Sequence, residues 1–167
     1  PRLIESIPGV RFHLIGTGPF LGNLIAQSEK MNLGKYVNFS KRAYPVSELP
    51  GMLKEMDIGI VPNRKNRATE LMLPVKLMEY AALGLPVVAP RLRAIEHYFS
   101  SDMISFFDPD DSESLAQAVE RLHHDQARRR EQIRHMASFL NQYDWERHQL
   151  DLINLYRNIK YVDQEAG

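Results

Sequence analysis

Glu79 follows Pro74 by five residues in the stretch L-P-V-K-L-M-E-Y. A carboxylate offers two acceptor oxygens, and a pair of vicinal hydroxyls such as a ribose diol can donate to both. The residues before it suit an anion. Asn63, Arg64, Lys65, Asn66 and Arg67 form a basic, polar run that leads through Thr69 and Glu70 to a predicted helix start near Pro74. The first N–H groups of that helix, those of Val75 and Lys76, have no partner inside it and lie at the positive end of its dipole. A diphosphate would be stabilised there, with Glu79 one turn further in. The same spacing also suits an exposed helix glutamate and a solvated lysine.

Three other groups are weaker candidates. Gly16-Thr17-Gly18-Pro19 closes the apolar run R-F-H-L-I. Glycines let a backbone approach a ligand closely, and a helix N-terminus beyond them favours anions. Only G-x-G is present, and Gly22 lies too far along to complete a dinucleotide fingerprint, so a tight strand-to-helix turn accounts for the pattern as well. Asp108-Pro109-Asp110-Asp111 resembles a cation-binding cluster but reads as a turn that caps a helix from Ser112. His13, His97, His123, His124, His135 and His148 show no paired metal spacing, and no G-x-S-x-G is present. No metal is expected.

These residues need elements to hold them. Short apolar runs at Arg11–Ile15, Tyr36–Phe39, Asp57–Val61, Pro86–Ala89 and Met103–Phe107 are predicted strands. Helices are predicted from Phe20 to Met31, from about Leu49 with Ser47 as N-cap, from Pro74 to Leu83 with Gly84 closing it, from Ala94 to Phe99, and from Ser112 to His123. Two more follow, Gln126–Leu140 and Trp145–Ile159, the second with Leu152, Ile153, Leu155 and Tyr156 apolar. Asn63–Met72 is a predicted loop. Strands that alternate with helices imply a parallel sheet covered on both faces. In such sheets ligands bind beyond the carboxyl ends of the strands. The four loops expected there are Gly16–Pro19, Ser40–Tyr44, Asn63–Leu73 and Pro90–Arg93.

Composition narrows the class. The chain has 167 residues, 44% of them hydrophobic and 25% charged, as expected of one soluble domain over residues 1–167 with C-terminal helices from about 126 to 160. A domain of this length buries roughly 70% of its unfolded surface. The formal charge of zero gives no electrostatic case for nucleic acid. There is no cysteine, hence no disulfide frame or thiolate metal site, which fits a reducing cytoplasm. No apolar run approaches the ~20 residues of a membrane span. The opening P-R-L-I-E-S-I-P-G has helical spacing at Leu3, Ile4 and Ile7 and reads as the last turns of a longer helix. An excised fragment is expected.

The string P-V-K-L-M-E-Y-A-A-L-G-L-P-V-V-A resembles the signature of retaining glycosyltransferases of family 4, the group 1 transferases. F-H-L-I-G-T-G-P is similar to that family's strand and turn, Y-V-N-F-S and M-D-I-G-I-V-P to two further strands, D-P-D-D-S-E-S-L-A-Q-A-V to its closing turn and helix, and Y-D-W-E to a C-terminal element. The resemblance covers about Arg11 to Tyr156. It implies a Rossmann-like doubly wound α/β sheet, the C-terminal half of a two-domain GT-B enzyme, lacking its first strand.

The same resemblance implies a site. Glu79 would bind the ribose hydroxyls of a UDP-, GDP- or other nucleotide-sugar. Gly16, Thr17 and Gly18 would lie beside its phosphates or sugar, and main-chain groups of Ser40, Lys41 and Arg42 would contact the base. Thr69, Glu70 and Leu73 would approach the donor sugar and diphosphate, with Glu70 as the catalytic residue. No cofactor is implied. The acceptor site would lie on an N-terminal domain that these residues do not include, with the full-length enzyme cytoplasmic, at the inner face of the membrane. The sequence departs from the family pattern in three places. The family often spaces two glutamates by seven residues, which falls on Leu71, so Glu70 is one residue early. Ser40 stands where glycine is usual, and Asn63 where serine is. The arginine and lysine that neutralise the donor diphosphate lie on an earlier strand and helix in the family. Two other readings keep the α/β fold: a nucleotide-sugar epimerase and a non-catalytic interaction module.

Overall fold

A computed structural model describes residues 1–143 and 145–165 of the chain. The elements run α1 (Arg2–Ser6), β1 (Phe12–Leu14), α2 (Leu21–Lys30), β2 (Val37–Phe39), α3 (Leu49–Leu53), β3 (Gly59–Ile60), α4 (Val75–Ala82), β4 (Val87–Pro90), α5 (Arg93–Tyr98), β5 (Ser105–Phe107), α6 (Ser112–His124), α7 (Gln126–Gln142) and α8 (Trp145–Glu165). Asp144, within the Y-D-W-E element, and residues 166–167 lie outside the described residues.

Every ladder is parallel, as the alternation of strands and helices predicts. β1 pairs with β2, and β3 pairs with β4, which pairs with β5. The expected single sheet is two ladders. The reason is an unpaired edge on each: no described strand bridges β1 and β3. Phe12 of β1, like Ile58 and Ile60, packs against the core around Leu3, Ile7 and Val88, whereas no residue of β2 joins that cluster. The parallel ladders β1-β2 and β3-β4-β5, with helices between successive strands, are those of a doubly wound α/β fold.

β4 is buried along its whole length. Its side chains alternate between two cores because a strand's period is two. Val87 and Ala89 pack with Val61, Leu77, Ala81, Leu92, Ile95, Met136 and Phe139 under α4, α5 and α7. Val88 packs with Leu3, Ile7, Phe107, Ala118, Val119 and Leu122 under α1 and α6. The rest of the chain buries less. α2 hides only Ser28 fully, and Leu24 remains 44% exposed. α8 leaves Leu152, Ile153, Leu155 and Tyr156 all exposed, so its apolar side has no partner among the described residues.

Helix ends follow local chemistry. Gly84 at φ +71 ends α4: its N–H donates to Ala81 C=O, and Leu85 N–H donates back to Tyr80 C=O. Asn32 at φ 55 closes α2 in the same way, with Leu33 N–H donating to Ser28 C=O. The Ser47 cap is a misreading. Ser47 lies inside a turn closed by Glu48 N–H donating to Pro45 C=O, so Glu48 occupies the N-cap of α3, and it makes no side-chain cap bond.

Candidate functional site at the carboxyl ends of the strands

Parallel pairing gathers the loops after β1, β2, β3, β4 and β5 at one end of each ladder. The first two form a bonded unit. Gly16, at φ +135, donates its N–H to Ser40 Oγ at 2.9 Å, and Ser40 Oγ donates to Arg42 C=O at 3.1 Å. The serine where glycine was expected therefore joins the two turns. Thr17 and Gly18 are exposed. Lys41 sits at φ 56, and the Arg42 guanidinium stacks 4.2 Å from the Tyr44 ring centroid.

The loop after β3 is tightly built. The Asn66 side-chain oxygen accepts the N–H groups of Ala68 and Thr69 at 2.9 and 3.0 Å. Thr69 Oγ accepts Asn66 N–H and donates to Arg64 C=O at 2.6 Å. Glu70 then reaches outward. One carboxylate oxygen accepts Arg93 N–H at 3.0 Å, and the other lies 3.0 Å from Lys65 Nζ. The main-chain oxygen of Glu70 accepts Ala94 N–H at 2.9 Å. Lys65, then the Arg93 N–H, hold the Glu70 carboxyl below its ordinary range. Asp110, at φ 61, anchors the other end of the loop by accepting Lys65 N–H at 3.2 Å.

α4 leaves this loop with no side-chain cap. Pro74 is its N-cap, and Pro74 C=O takes Leu77 N–H. The N–H groups of Val75 and Lys76 have no acceptor among the described residues, and both residues are exposed. Leu73 is partly buried against the core and fixes the approach. Glu79 is half-buried, and no hydrogen bond or ion pair to its carboxylate occurs among the described residues. Its neighbour Tyr80 lies over Gly59 of β3, so close that a Cβ there would meet the ring at 2.4 Å. Burial pushes the Tyr80 phenol up.

Thus Thr69, Glu70, Leu73, Val75, Lys76 and Glu79 lie along one continuous segment, and Gly16, Ser40 and Arg42 are bonded together elsewhere. No hydrogen bond or ion pair among the described residues joins the two groups. Sequence reasoning named Asn66, Asp110 and the Pro90–Arg93 loop but assigned none of them these bonds. The Asn66-x-x-Thr69 spacing was a usable signal for the turn, because Asn and Thr side chains bond backbone two or three residues on. Nothing in the sequence signalled the tie between Glu70 and Arg93. The acidic turn behaves as a cap: Asp111 accepts the N–H groups of Glu113 and Ser114 at 2.8 and 3.0 Å. Among the described residues no three His, Asp or Glu side chains group to hold a metal. A groove of about 280 Å³ beside Ser105, Arg121 and Arg128 lies along the outer strand β5. Its Arg128 is paired with Asp102 and Glu131, and Arg91 with Glu96 and Asp108.

Residues 1–125 match the family described as glycosyl transferases group 1. A GDP-mannose-dependent alpha-(1-6)-phosphatidylinositol monomannoside mannosyltransferase of Mycolicibacterium smegmatis is 30% identical over 93 residues, 54% of this chain and 24% of that protein. A putative colanic acid biosynthesis glycosyltransferase, WcaL, of Escherichia coli is 28% identical over 123 residues, 71% of this chain and 29% of that protein. The chain thus spans under a third of these relatives. Among solved structures, sucrose-phosphate synthase from Thermosynechococcus elongatus superposes with a TM-score of 0.79 at 20% identity, over 96% of this chain and 42% of that one. Anabaena HepE, in complex with UDP, superposes with a TM-score of 0.72 at 17% identity, over 93% of this chain and 44% of that one. At these identities the superpositions establish the fold.

Proposed function

Because the chain belongs to the glycosyl transferases group 1 family, we propose that it is the nucleotide-sugar-binding part of a retaining hexosyltransferase. The start of α4 carries this reading: an uncapped helix N-terminus at the carboxyl end of a parallel sheet, with the half-buried Glu79 carboxylate one turn in. The Val75 and Lys76 N–H groups bind the donor diphosphate, and the Lys76 ammonium adds charge. Glu79 accepts from both ribose hydroxyls. The Gly16–Gly18 backbone lies beside the phosphates or the sugar, and Lys41 and Arg42 main-chain groups meet the base. Thr69 and Leu73 flank the approach of the sugar.

The chemistry is leaving-group stabilisation. Breaking the sugar–phosphate bond puts charge on the departing diphosphate, and oriented N–H groups stabilise it without a metal. The acceptor binds on the rest of the longer polypeptide, so residues 1–167 alone transfer negligibly. No helix among the described residues is long and apolar enough to cross a membrane. A cytoplasmic enzyme, touching the inner face of the membrane through its other parts, belongs to the same proposal.

One relative's name carries GDP-mannose and one similar structure holds UDP, so both bases enter the test. The full-length protein is titrated with UDP, GDP and their hexose conjugates. Glu79→Ala should weaken the preferred nucleotide roughly ten- to a hundredfold, the worth of hydrogen bonds to a charged group. No nucleotide binding by the full-length protein sinks the proposal. A product that is an epimerised nucleotide-sugar, with no glycoside formed, rules out transfer.

A further inference from the structure

α5 has a peculiar N-terminus. Its N-cap, Leu92, has an apolar side chain and makes no cap bond. The first N–H groups of a helix are orphans that must find acceptors elsewhere. Here one distant residue supplies acceptors for two of them. The carboxylate of Glu70 takes Arg93 N–H, and the carbonyl of Glu70 takes Ala94 N–H, across 23 positions for the side-chain bond. The other carboxylate oxygen pairs with Lys65, five residues back in the same loop. Glu70 therefore fastens three things together: the body of the loop, its own backbone, and the helix that follows β4.

The contrast with α4 matters. α6 and α7 receive their caps locally from Asp111 and Asp125. α5 receives its cap from Glu70. α4 receives none. Only Leu71 to Pro74 separate the fastened residue from the first free N–H groups of α4. Fixing Glu70 on α5 therefore fixes where Val75 and Lys76 point. α5 is packed into the core through Leu92 and Ile95, both fully buried, so the anchor is rigid.

We propose that Glu70 is a positioning residue, a clamp that seats the loop 64–73 on α5 and so aligns the start of α4 for the donor diphosphate. It acts through the loop, and it touches no donor atom. This rests on the donor-site reading above for what is aligned, but the clamp itself is testable without any ligand.

Hydrogen exchange is measured by NMR or by peptide mass on the nucleotide-free full-length protein, for wild type, Glu70→Ala, Glu70→Gln and Glu79→Ala. In Glu70→Ala the amides of Arg93 and Ala94 and those of residues 65–72 should exchange at least several-fold faster, with Glu79→Ala unchanged there. Glu70→Gln keeps an oxygen for Arg93 N–H and loses the charge toward Lys65, so it should restore most of the protection at Arg93. Nucleotide titration follows. The clamp predicts that Glu70→Ala weakens a nucleoside diphosphate and its hexose conjugate by the same factor, on the order of tenfold. Unchanged exchange in Glu70→Ala overturns the clamp, as does a loss confined to the sugar-bearing donor, which would mean that Glu70 touches the sugar. Altered exchange in a protein whose wild type binds no nucleotide supports the clamp and overturns the donor reading.

Discussion

Glu70 and Glu79 are the same residue type nine positions apart, yet they are used differently. Glu70 is saturated by Lys65 and the α5 backbone, and Glu79 has no partner among the described residues. The sign of the Glu70 shift gives a pH dependence. Lys65 first, then the Arg93 N–H, lowers its folded value below 4.5. The stabilisation it gives is therefore complete above that ordinary value and is lost as pH falls through the folded one. The groups that face the carboxylate are Lys65, from its own loop, and the N–H and cation of Arg93, from α5. A carbon-detected titration of the Glu70 carboxyl should show a midpoint below the ordinary range, and Lys65→Met should move it upward. A midpoint that ignores Lys65→Met would mean that the ion pair is not formed in solution.

Elements hold these residues by packing that single substitutions can break. Gly59 lies under Tyr80, and an added Cβ would sit 2.5 Å from the ring's Cγ and 3.0 Å from its Cβ. The ring's root is that close, so rotating the side chain cannot clear it. Gly59→Ala should cost about 1–3 kcal/mol, the range for overpacking, seen as a lower urea midpoint. Because Tyr80 adjoins Glu79, the same variant should also weaken nucleotide binding. The cap of α6 is a gentler case. Asp111→Ala removes the acceptor for two N–H groups and should cost about 1 kcal/mol in the same measurement. Gly59 had no reading in the sequence beyond its place in a strand, because the partner that demands a glycine there, Tyr80, arrives from α4.

At the scale of the molecule, stability is unevenly distributed. Both cores are built on β4 and its flanking helices, while β1, β2 and α2 contribute little beyond Phe12 at the margin. Local unfolding follows buried contacts, so the amides of β1 and β2 should exchange at lower free energy than those of β4. Native-state exchange in low denaturant measures this directly, and equal protection in the two ladders would contradict it. Leu77→Ala, which empties a fully buried site under α4, should cost about 2–5 kcal/mol by comparison.

The elements and their order were legible in the sequence because short apolar strands, periodic helices and turn residues such as Gly84 and Asp111 act through neighbours a few positions away. Which loops gather at the carboxyl ends of the strands was legible as well, since parallel strands put their loops at one end. The family resemblance carried by Leu73 to Pro90 found the segment that the family match then covered. Tertiary structure alone decided the rest. It split the parallel sheet into two ladders, bound Ser40 to Gly16, set Tyr80 on Gly59 and tied Glu70 to α5. Each of these is a contact between residues far apart in the chain. Spacing along one segment fixes which side chains share a face, but which distant backbone N–H meets a carboxylate depends on how separate elements pack.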